Sequence, residues 1–450
     1  MSEVKNHTAL IPSEDITKEA EKRVPSKAAR KGEPSLHMTD DMRRLSTPWS
    51  ISMVRAKQIE AFDLPAGIIL DAAAGSGAQL IALANELRRP SLGIELDGNI
   101  AVLCAANMHL ASSAEDTQKT LNRVIIGDSC DAEGAITTYW NSLMKSGIRA
   151  HPPIAMLHLD PARPRDAQNH HVDEMEPSLM SVLKSWNEYL QTGPRGPAIL
   201  LDLSPRLGEE QQDMIEAIVE TIFPGVPRTW EWLSQGGGRV DRLSLWIGAI
   251  SSKEERRCIR MGTKNIIAKI EGRKSYSKIE ILSRPPPYGA YISVVDPALI
   301  QSGLQEKWIS KAVEKNSGYS WLRIEGRRPL LIHTDPLIDN DEINGFVVST
   351  GKIVQHRLTP PQLDNIDEIA SAASRNNIGK ITLRCSLDPE IQPTLQRRLD
   401  KALRNTDGAK SYMIDIDLER GKGSHKLYVI CKEWKILNGK IVFSLSGGLK

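Results

Sequence analysis

Short apolar runs alternate with amphipathic segments through the middle of this chain, from about residue 68 to residue 249. The runs have strand length, and the segments between them place apolar residues three or four positions apart, as helices do. The predicted helices include 99–110, 177–190 and 209–223, and the predicted strands are 68–72, 92–95, 124–127, 154–160, 198–203, 229–234 and 243–249. Because helices separate most strands, the pattern predicts an α/β fold with a parallel sheet and helices on both faces. The last two strands lack an intervening helix, which predicts an antiparallel strand at the end of the sheet.

The first predicted strand ends in Asp71 and is followed by the glycines Gly75 and Gly77. Glycines let the backbone approach a ligand closely, and the helix that begins there offers unpaired amide groups. Glu95 follows Gly75 by twenty residues and ends the second strand, where an acid can accept both hydroxyls of a ribose. Position 80 is Leu80 rather than the third glycine of a dinucleotide fingerprint, so a pyrophosphate cradle is not indicated. The alternative interpretation is an ordinary strand–turn–helix.

Four successive predicted strands end in an acid, namely Asp71, Glu95, Asp128 and Asp160. In a doubly wound sheet the ligand binds at the carboxyl ends of the strands, where the strand order reverses. The pattern therefore predicts that these carboxylates ring one crevice. The alternative is that they cap the helices that follow the strands.

This arrangement resembles the class I S-adenosylmethionine-dependent methyltransferases over residues 65–250. The resemblance implies a Rossmann-like sheet and S-adenosyl-L-methionine as the cofactor. Asp71 and the glycine turn would hold the methionine part, Glu95 the ribose and Asp128 the adenine amine. The cofactor-binding residues implied are Asp71, Ala73, Gly75, Gly77, Glu95 and Asp128.

A closer resemblance includes motifs further along the chain. These are Leu159-Asp160-Pro161-Ala162-Arg163, Glu176-Pro177, Leu203-Ser204-Pro205, Ser234-Gln235-Gly236-Gly237, Leu245-Trp246-Ile247-Gly248 and Pro287-Tyr288-Gly289-Ala290. Together they are similar to bacterial and archaeal methyltransferases with a C-terminal THUMP-like domain. Since THUMP domains present RNA to modification enzymes, the resemblance implies an RNA substrate, a base of tRNA or rRNA.

Asp160 to Arg163 stand where amino-methyltransferases of nucleic acids carry an acid or asparagine, two prolines and an aromatic residue. In those enzymes a polar oxygen accepts a hydrogen bond from the amine that is methylated. The resemblance implies a catalytic role for Asp160 and a role for Arg163 in holding the substrate, because arginine can stack on a base or pair with a phosphate. Ala162 and Arg163 replace the second proline and the aromatic residue, so methylation of an exocyclic amine stays open. The alternative is a capping Asp160 and a solvated Arg163.

Composition restricts the remaining possibilities. The formal charge is +2, and the five cysteines are dispersed without a C-x-x-C pair, which argues against a zinc cluster or a disulfide scaffold and fits a reducing cytoplasm. No apolar run predicts a signal peptide or a membrane span. Adjacent His170 and His171 project in different directions, so no metal is expected there.

The outer parts of the chain have other patterns. Residues 1–38 predict a flexible tail and residues 39–64 a helical segment. Its basic residues Arg43, Arg44, Arg55 and Lys57 predict a solvated helix face, and contact with a nucleic acid is the alternative. Residues 251–284 carry ten basic and four acidic residues, which suits a basic linker that contacts phosphates. A solvated linker is the alternative.

Residues 285–450 predict a C-terminal α+β domain. The helices are 361–375 and 390–403, and the strands are 346–356, 380–385, 412–417 and 425–431. This order predicts a ferredoxin-like sheet with two helices on one face, and its THUMP-like character comes from the resemblance.

These predictions favour an S-adenosylmethionine-dependent methyltransferase that acts on RNA. Two other functions stay open. One is a non-catalytic RNA-binding or scaffold protein with a degenerate methyltransferase fold, and the other is a small-molecule methyltransferase.

Overall fold

The computed structural model describes residues 7–112, 116–162, 171–276, 279–357, 359–420, 423–437 and 440–443. The chain divides into two compact units. The first extends to Glu231 and includes Asp241–Glu255 and Gly262–Ile266, and the second comprises Trp232–Val240, Arg256–Met261 and the chain from Ile267 onward.

Strands and helices alternate through most of the first unit. Its strands are β1 (Thr8–Leu10), β2 (Lys27–Ala28), β3 (Ser35–Leu36), β4 (Ile68–Asp71), β5 (Ser91–Glu95), β6 (Arg123–Ile126), β7 (Ile154–Leu159), β8 (Thr192–Gly193), β9 (Gly196–Leu203), β10 (Arg228–Ser234) and β11 (Arg242–Gly248). Its helices are α1 (Glu14–Arg23), α2 (Asp40–Leu45), α3 (Trp49–Glu60), α4 (Ala78–Leu87), α5 (Gly98–Ala111), α6 (Asp116–Lys119), α7 (Ala132–Lys145), α8 (Leu179–Trp186) and α9 (Glu209–Ile222). All seven strands predicted between residues 68 and 249 are present, each within two residues of its predicted ends.

The main sheet has the strand order β1-β6-β5-β4-β7-β9-β11-β10, followed by β12 (Arg256–Met261) and β13 (Ile266–Gly272). Strands β6, β5, β4, β7 and β9 run parallel, whereas β11 is antiparallel to β9. The chain proceeds from β4 outward to β5 and β6 and then returns to place β7 on the other side of β4. The strand order therefore reverses between β4 and β7, which is where a doubly wound sheet forms its ligand crevice. The predicted α/β architecture with an antiparallel strand is confirmed.

The N-terminal residues differ from the predicted flexible tail. Strand β1 extends the sheet by pairing antiparallel with β6, and α1 packs on α5. Ile16, Ala20 and Val24 are spaced four residues apart, so they share one helix face, and Ala20 is fully buried against this core. Charged residues surround this short apolar stripe, and for that reason the sequence pattern did not predict a packed helix here.

The second unit contains a second sheet. This unit contributes to that sheet the strands β14 (Tyr291–Val295), β15 (Tyr319–Arg323), β16 (Leu330–His333), β17 (Val347–Arg357), β18 (Ile378–Leu383), β19 (Ala409–Arg420), β20 (Gly423–Leu437) and β21 (Lys440–Phe443). Its helices are α10 (Pro297–Gln301), α11 (Gln305–Ala312), α12 (Asp341–Asn344), α13 (Ile366–Arg375) and α14 (Gln392–Ala402).

This second sheet has the order β15-β16-β14-β17-β20-β19-β18, with β21 beside β20. Helices α13 and α14 cover one face through a core that includes Ile369, Leu399 and Ile430, and another apolar cluster covers the opposite face. The predicted C-terminal α+β fold with two helices on one face is confirmed. Beyond the strands predicted from the sequence, the sheet also contains β14, β15, β16 and β21.

The basic segment 251–284 also differs from the predicted linker, because it forms β12 and β13. Arg256 lies over the Trp232 ring, with the guanidinium carbon 5.0 Å from its centroid, and Arg257 is buried. Arg260 donates to Oδ2 of Asp296 at 3.0 Å. These three arginines therefore serve the packing of the second unit rather than forming a solvated basic face.

Candidate functional site

The turn between β4 and α4 depends on glycine at one position in particular. Gly77 is the N-cap of α4 with a φ of 75°, and a Cβ built there would lie 2.8 Å from Sγ of Cys104. Gly75 also has a positive φ, of 51°, yet a Cβ there would meet no atom within 4 Å. Gly77 is thus required by packing, whereas Gly75 leaves open space beside the turn. Asp71 is buried at the end of β4, and its Oδ1 accepts the amide hydrogen of Ala73 at 3.2 Å.

Glu95 closes the turn from the neighbouring strand. One carboxylate oxygen accepts the amide hydrogen of Gly75 at 3.0 Å, and the other accepts that of Asp97 at 2.9 Å. Burial raises the pKa of Glu95, and these two hydrogen bonds partly oppose that rise. Each oxygen has two lone pairs, so the carboxylate keeps acceptor capacity for a ligand. The next residue, Leu96, is a leucine with 68% of its surface exposed beside this carboxylate.

Asp128 follows β6, where its Oδ1 accepts the amide hydrogen of Cys130 at 2.9 Å. The helix that follows is capped by a different residue, Asp131, which accepts from Gly134. The same division occurs after β5, where Asp97 rather than Glu95 caps α5. The capping alternative therefore fails for both Glu95 and Asp128, because neighbouring aspartates perform it.

Asp160 is half-buried and directly follows β7, on the other side of β4. The chain beyond it is fixed by a reciprocal pair of backbone hydrogen bonds, of 2.7 and 3.0 Å, between Ala162 and Glu176. Within the described residues no helix starts at Asp160, and the next α-helix, α8, is capped by Ser178. Arg163 lies outside the described residues, so its role stays a prediction.

Arg242 is a cation at this edge that the sequence analysis did not single out. Its guanidinium donates to Oγ1 of Thr47 at 3.4 Å and to the carbonyl oxygens of Asp241 and Ser46 at 2.8 and 3.3 Å. Burial lowers the pKa of Arg242, as does Arg55, whereas the nearby Asp160 carboxylate acts in the opposite direction. The position of Arg242 at the start of β11 could have indicated this role in the sequence. An antiparallel strand begins at the edge where the parallel strands end.

Behind the turn lies a chain of buried charges. His158 on β7 places Nδ1 2.9 Å from Oδ2 of Asp71 and Nε2 3.2 Å from Oδ2 of Asp202. Asp202 in turn pairs with Arg55 of α3 and accepts from the hydroxyl of Ser244 at 2.8 Å. All of these side chains are almost completely buried. The prediction that Arg55 lies on a solvated helix face is therefore wrong.

The charges in this network stabilise one another. Burial alone would lower the pKa of His158, but Asp71 and Asp202 more than compensate and raise it to about 10. Burial would raise the pKa of Asp202, but Arg55 and His158 hold it below its ordinary value. Two carboxylates and two cations thus form a neutral group that anchors Asp71 beneath the turn. By contrast, burial and the neighbouring Asp71 and Glu95 raise the pKa of Cys104, so its thiol stays protonated.

The raised pKa of His158 predicts a specific pH dependence of stability. Its contribution is complete below the ordinary pKa of 6.5 and is lost as pH rises toward about 10. Between pH 7 and pH 10 we expect the free energy of unfolding of the wild type to fall more steeply than that of His158→Gln, by at most about 1.4 kcal/mol per pH unit. Urea denaturation of both proteins across this range checks the difference. Parallel curves would show that His158 is neutral in the folded protein.

The described part of the chain holds neither a cluster of metal ligands nor a membrane-spanning helix. No group of three or more His, Cys, Asp or Glu side chains there could hold a metal ion, and His170 lies outside the described residues. Within that same part of the chain, no helix combines the length and the apolar character that crossing a membrane requires.

Comparison with known proteins identifies a solved structure with a similar fold. The chain is similar to the crystal structure of a predicted methyltransferase from Porphyromonas gingivalis W83, with a TM-score of 0.54 and 14% identity. That similarity covers 88% of this chain and 84% of the other. At this identity it shows the fold alone, a Rossmann-like methyltransferase fold followed by a second domain. No family model and no curated protein matches the sequence.

Other solved methyltransferases match only about half of the chain. A precorrin-6y C5,15-methyltransferase from Geobacter metallireducens GS-15 has 12% identity and a TM-score of 0.30, over 48% of this chain and 98% of that one. An rRNA methylase from Streptococcus thermophilus has 10% identity and a TM-score of 0.27, over 46% and 98%. One modifies a small molecule and the other an RNA by name, so these similarities say nothing about the substrate.

Proposed function

We propose that the protein is an S-adenosylmethionine-dependent methyltransferase that acts on RNA. The observation that supports the proposal most directly is the position of Asp71, Glu95, Asp128 and Asp160. They follow β4, β5, β6 and β7, whose carboxyl ends meet at the point where the strand order reverses. Such an edge is where a doubly wound sheet binds its ligand.

The residues at this edge fit the proposed cofactor. Gly75 leaves open space beside the turn, Glu95 keeps acceptor capacity for the two ribose hydroxyls, and the exposed Leu96 offers an apolar surface to an adenine ring. Asp71 would hold the methionine part together with the turn, and Asp128 would accept from the adenine amine. Bound there, S-adenosylmethionine would supply a methyl group on a positively charged sulfur. The carboxylates around the crevice suit a cationic ligand.

Asp160 would act on the substrate side of the crevice. Its carboxylate can accept a hydrogen bond or a proton from the group that is to be methylated. Arg242, held by Ser46, Thr47 and Asp241, lies within electrostatic reach of Asp160 and would place a positive charge on the substrate side of the crevice. The predicted role of Arg163 in holding the substrate belongs to this same proposal.

The RNA part of the proposal relies on the second unit. This unit contains a complete sheet with its own cores, and the proposed cofactor site does not need it. An additional domain of this size is well suited to presenting a large substrate, as a THUMP-like domain would. A small-molecule methyltransferase would leave it without a role. A scaffold protein would have no need for the four carboxylates at the crevice.

Glu95→Ala tests the cofactor site. Loss of a charge-assisted contact to the ribose costs roughly 1.5–3 kcal/mol, so we expect affinity for S-adenosylmethionine to fall about ten- to a hundredfold. Isothermal titration calorimetry measures the change, with Glu86→Ala as a control at the opposite end of α4. A wild-type protein that gives no heat of binding would refute the proposed cofactor. Equal affinities of Glu95→Ala and the wild type would remove Glu95 from the site.

A further inference from the structure

The second unit contains a cavity of about 660 Å³ that the proposed cofactor site does not use. Its volume falls within the range of about 300–1,000 Å³ that is typical of small-molecule sites. The cavity lies where β17 ends beside β20 and is lined by Pro285, His356, Arg357, Pro360, Leu418, His425, Lys426, Leu427 and Tyr428.

The lining combines apolar walls with nitrogen-bearing side chains. Among these described lining residues none carries a carboxylate, and four carry basic groups. Glu368 pairs with Arg357 at 3.0 Å, and Asp415 pairs with Lys426 at 2.9 Å, but neither acid lines the cavity. The cavity therefore offers apolar surface and N–H donors, which suits a ligand that is partly apolar and carries hydrogen-bond acceptors such as phosphate oxygens.

Two nitrogens at the cavity have unused hydrogen-bonding capacity. Nε2 of His356 and Nε of Arg357 are both buried, and neither has a hydrogen-bond partner among the described residues. The Arg357 side chain is only 6% exposed and is fixed by Glu368 and Thr359. A buried N–H group without a partner is costly, so a ligand oxygen at this position would satisfy it.

An aromatic surface adjoins the same wall. Tyr288 stacks on His356 with ring centroids 4.2 Å apart and an interplanar angle of 22°. Tyr288 is nevertheless 64% exposed, so most of its surface remains available. A second flat ring can extend such a stack, as nucleobases do on aromatic side chains in single-strand binding sites.

We infer that this cavity binds one nucleotide of single-stranded RNA, with the base against the Tyr288–His356 stack and a phosphate beside Arg357 and His425. A single strand is favoured because a concave pocket admits a base that is unstacked from its neighbours, which a duplex does not offer. The inference rests on the proposed function, since the bound strand would be the RNA that the first unit methylates.

Fluorescence anisotropy with a short labelled single-stranded RNA and the full-length protein tests this site. Tyr288→Ala should weaken binding about tenfold, the effect expected when one stacked base loses its aromatic partner. His425→Glu should also weaken it, because the substitution adds a negative charge where the phosphate would lie. Tyr319→Ala and Lys315→Glu, at exposed positions of the same unit, are the matched controls and should bind as the wild type does.

The outcomes separate the site from the proposed function. If Tyr288→Ala and His425→Glu bind RNA as tightly as the wild type, and their melting temperatures are unchanged, the cavity is not an RNA site. Adenosine or uridine monophosphate that binds in a Tyr288-dependent manner, without any RNA binding, would assign the cavity to a free nucleotide and overturn the inference. Calorimetry with S-adenosylmethionine is the independent arm. If the wild type binds RNA through the cavity but does not bind this cofactor, the proposed methyltransferase function is refuted. The inference that the cavity is an RNA site would then still hold.

Discussion

Asp202→Ala is expected to lower the free energy of unfolding by about 3–5 kcal/mol, because it removes one partner of a buried ion pair. Asp202 is the only described residue that contacts both Arg55 and His158 in this network. Both cations are almost completely buried, so neither can regain hydration in the folded protein. His158 would keep its pair with Asp71, whereas Arg55 would lose its carboxylate.

The control is an ion pair of similar geometry at the surface. Lys18 and Glu14 of α1 are separated by 2.8 Å, with side chains 64% and 75% exposed, so Glu14→Ala should cost less than about 1 kcal/mol. Urea denaturation of the wild type and both variants gives the comparison. Asp202→Asn preserves the shape and should also destabilise the protein, which separates loss of charge from loss of volume. If Asp202→Ala were no more harmful than Glu14→Ala, the network would not bear on stability.

The parts of the site that follow directly from strand ends could be predicted from the sequence. Parallel strands bring their carboxyl ends to one edge of a sheet. The acids at the ends of β4, β5, β6 and β7 must therefore lie at that same edge. The spacing from Gly75 to Glu95 likewise has a local cause, since one helix connects two adjacent strands. The observed hydrogen bond between these residues is the direct consequence.

Contacts between distant segments could not be predicted in this way. Arg55 and Asp202 are 147 residues apart in the sequence, and no local pattern indicates that α3 reaches the strand that contains Asp202. His158 gave a weaker signal, as a polar residue inside an apolar strand. Side chains along the strand alternate between the two faces of the sheet. The residues that His158 contacts are determined by the neighbouring strands, which the local sequence does not reveal.

The basic segment 251–284 forms strands rather than the predicted linker, and its sequence gives a physical reason. In β13, the buried Ala268 and Ile270 alternate with the charged Lys269 and Glu271, as in strands that bury one face, and in β12 the adjacent Cys258 and Ile259 are both buried. Counting charges over the whole segment conceals that alternation. Arg257 and Arg260 then contact Glu271 and Asp296 within the second unit, so their charge reversal would test folding rather than RNA binding. Substitutions of the exposed Tyr288 and His425 are better tests of RNA binding.

Asp160 occupies a position that distinguishes catalysis from structure. The residue follows β7, and within the described residues it begins no helix, so a capping role would not explain it. Asp71, the corresponding residue of the adjacent strand, is tied into the buried network through His158. Asp160 instead lies half-buried at the edge, within electrostatic reach of Arg242. A carboxylate in that setting can accept a hydrogen bond from a substrate.

We therefore expect Asp160→Ala to lower the rate of methyl transfer by about a hundredfold or more, the usual effect of losing a general base or an aligned acceptor. The assay follows labelled methyl groups from S-adenosylmethionine into RNA from cells that lack the protein, and nucleoside mass spectrometry identifies the product. Asp173→Ala, an exposed acid further along the chain, is the control and should keep full activity. Calorimetry should show unchanged cofactor affinity in both variants, because the proposed role of Asp160 is on the substrate side of the crevice. Wild-type turnover by Asp160→Ala would reduce this residue to a structural role.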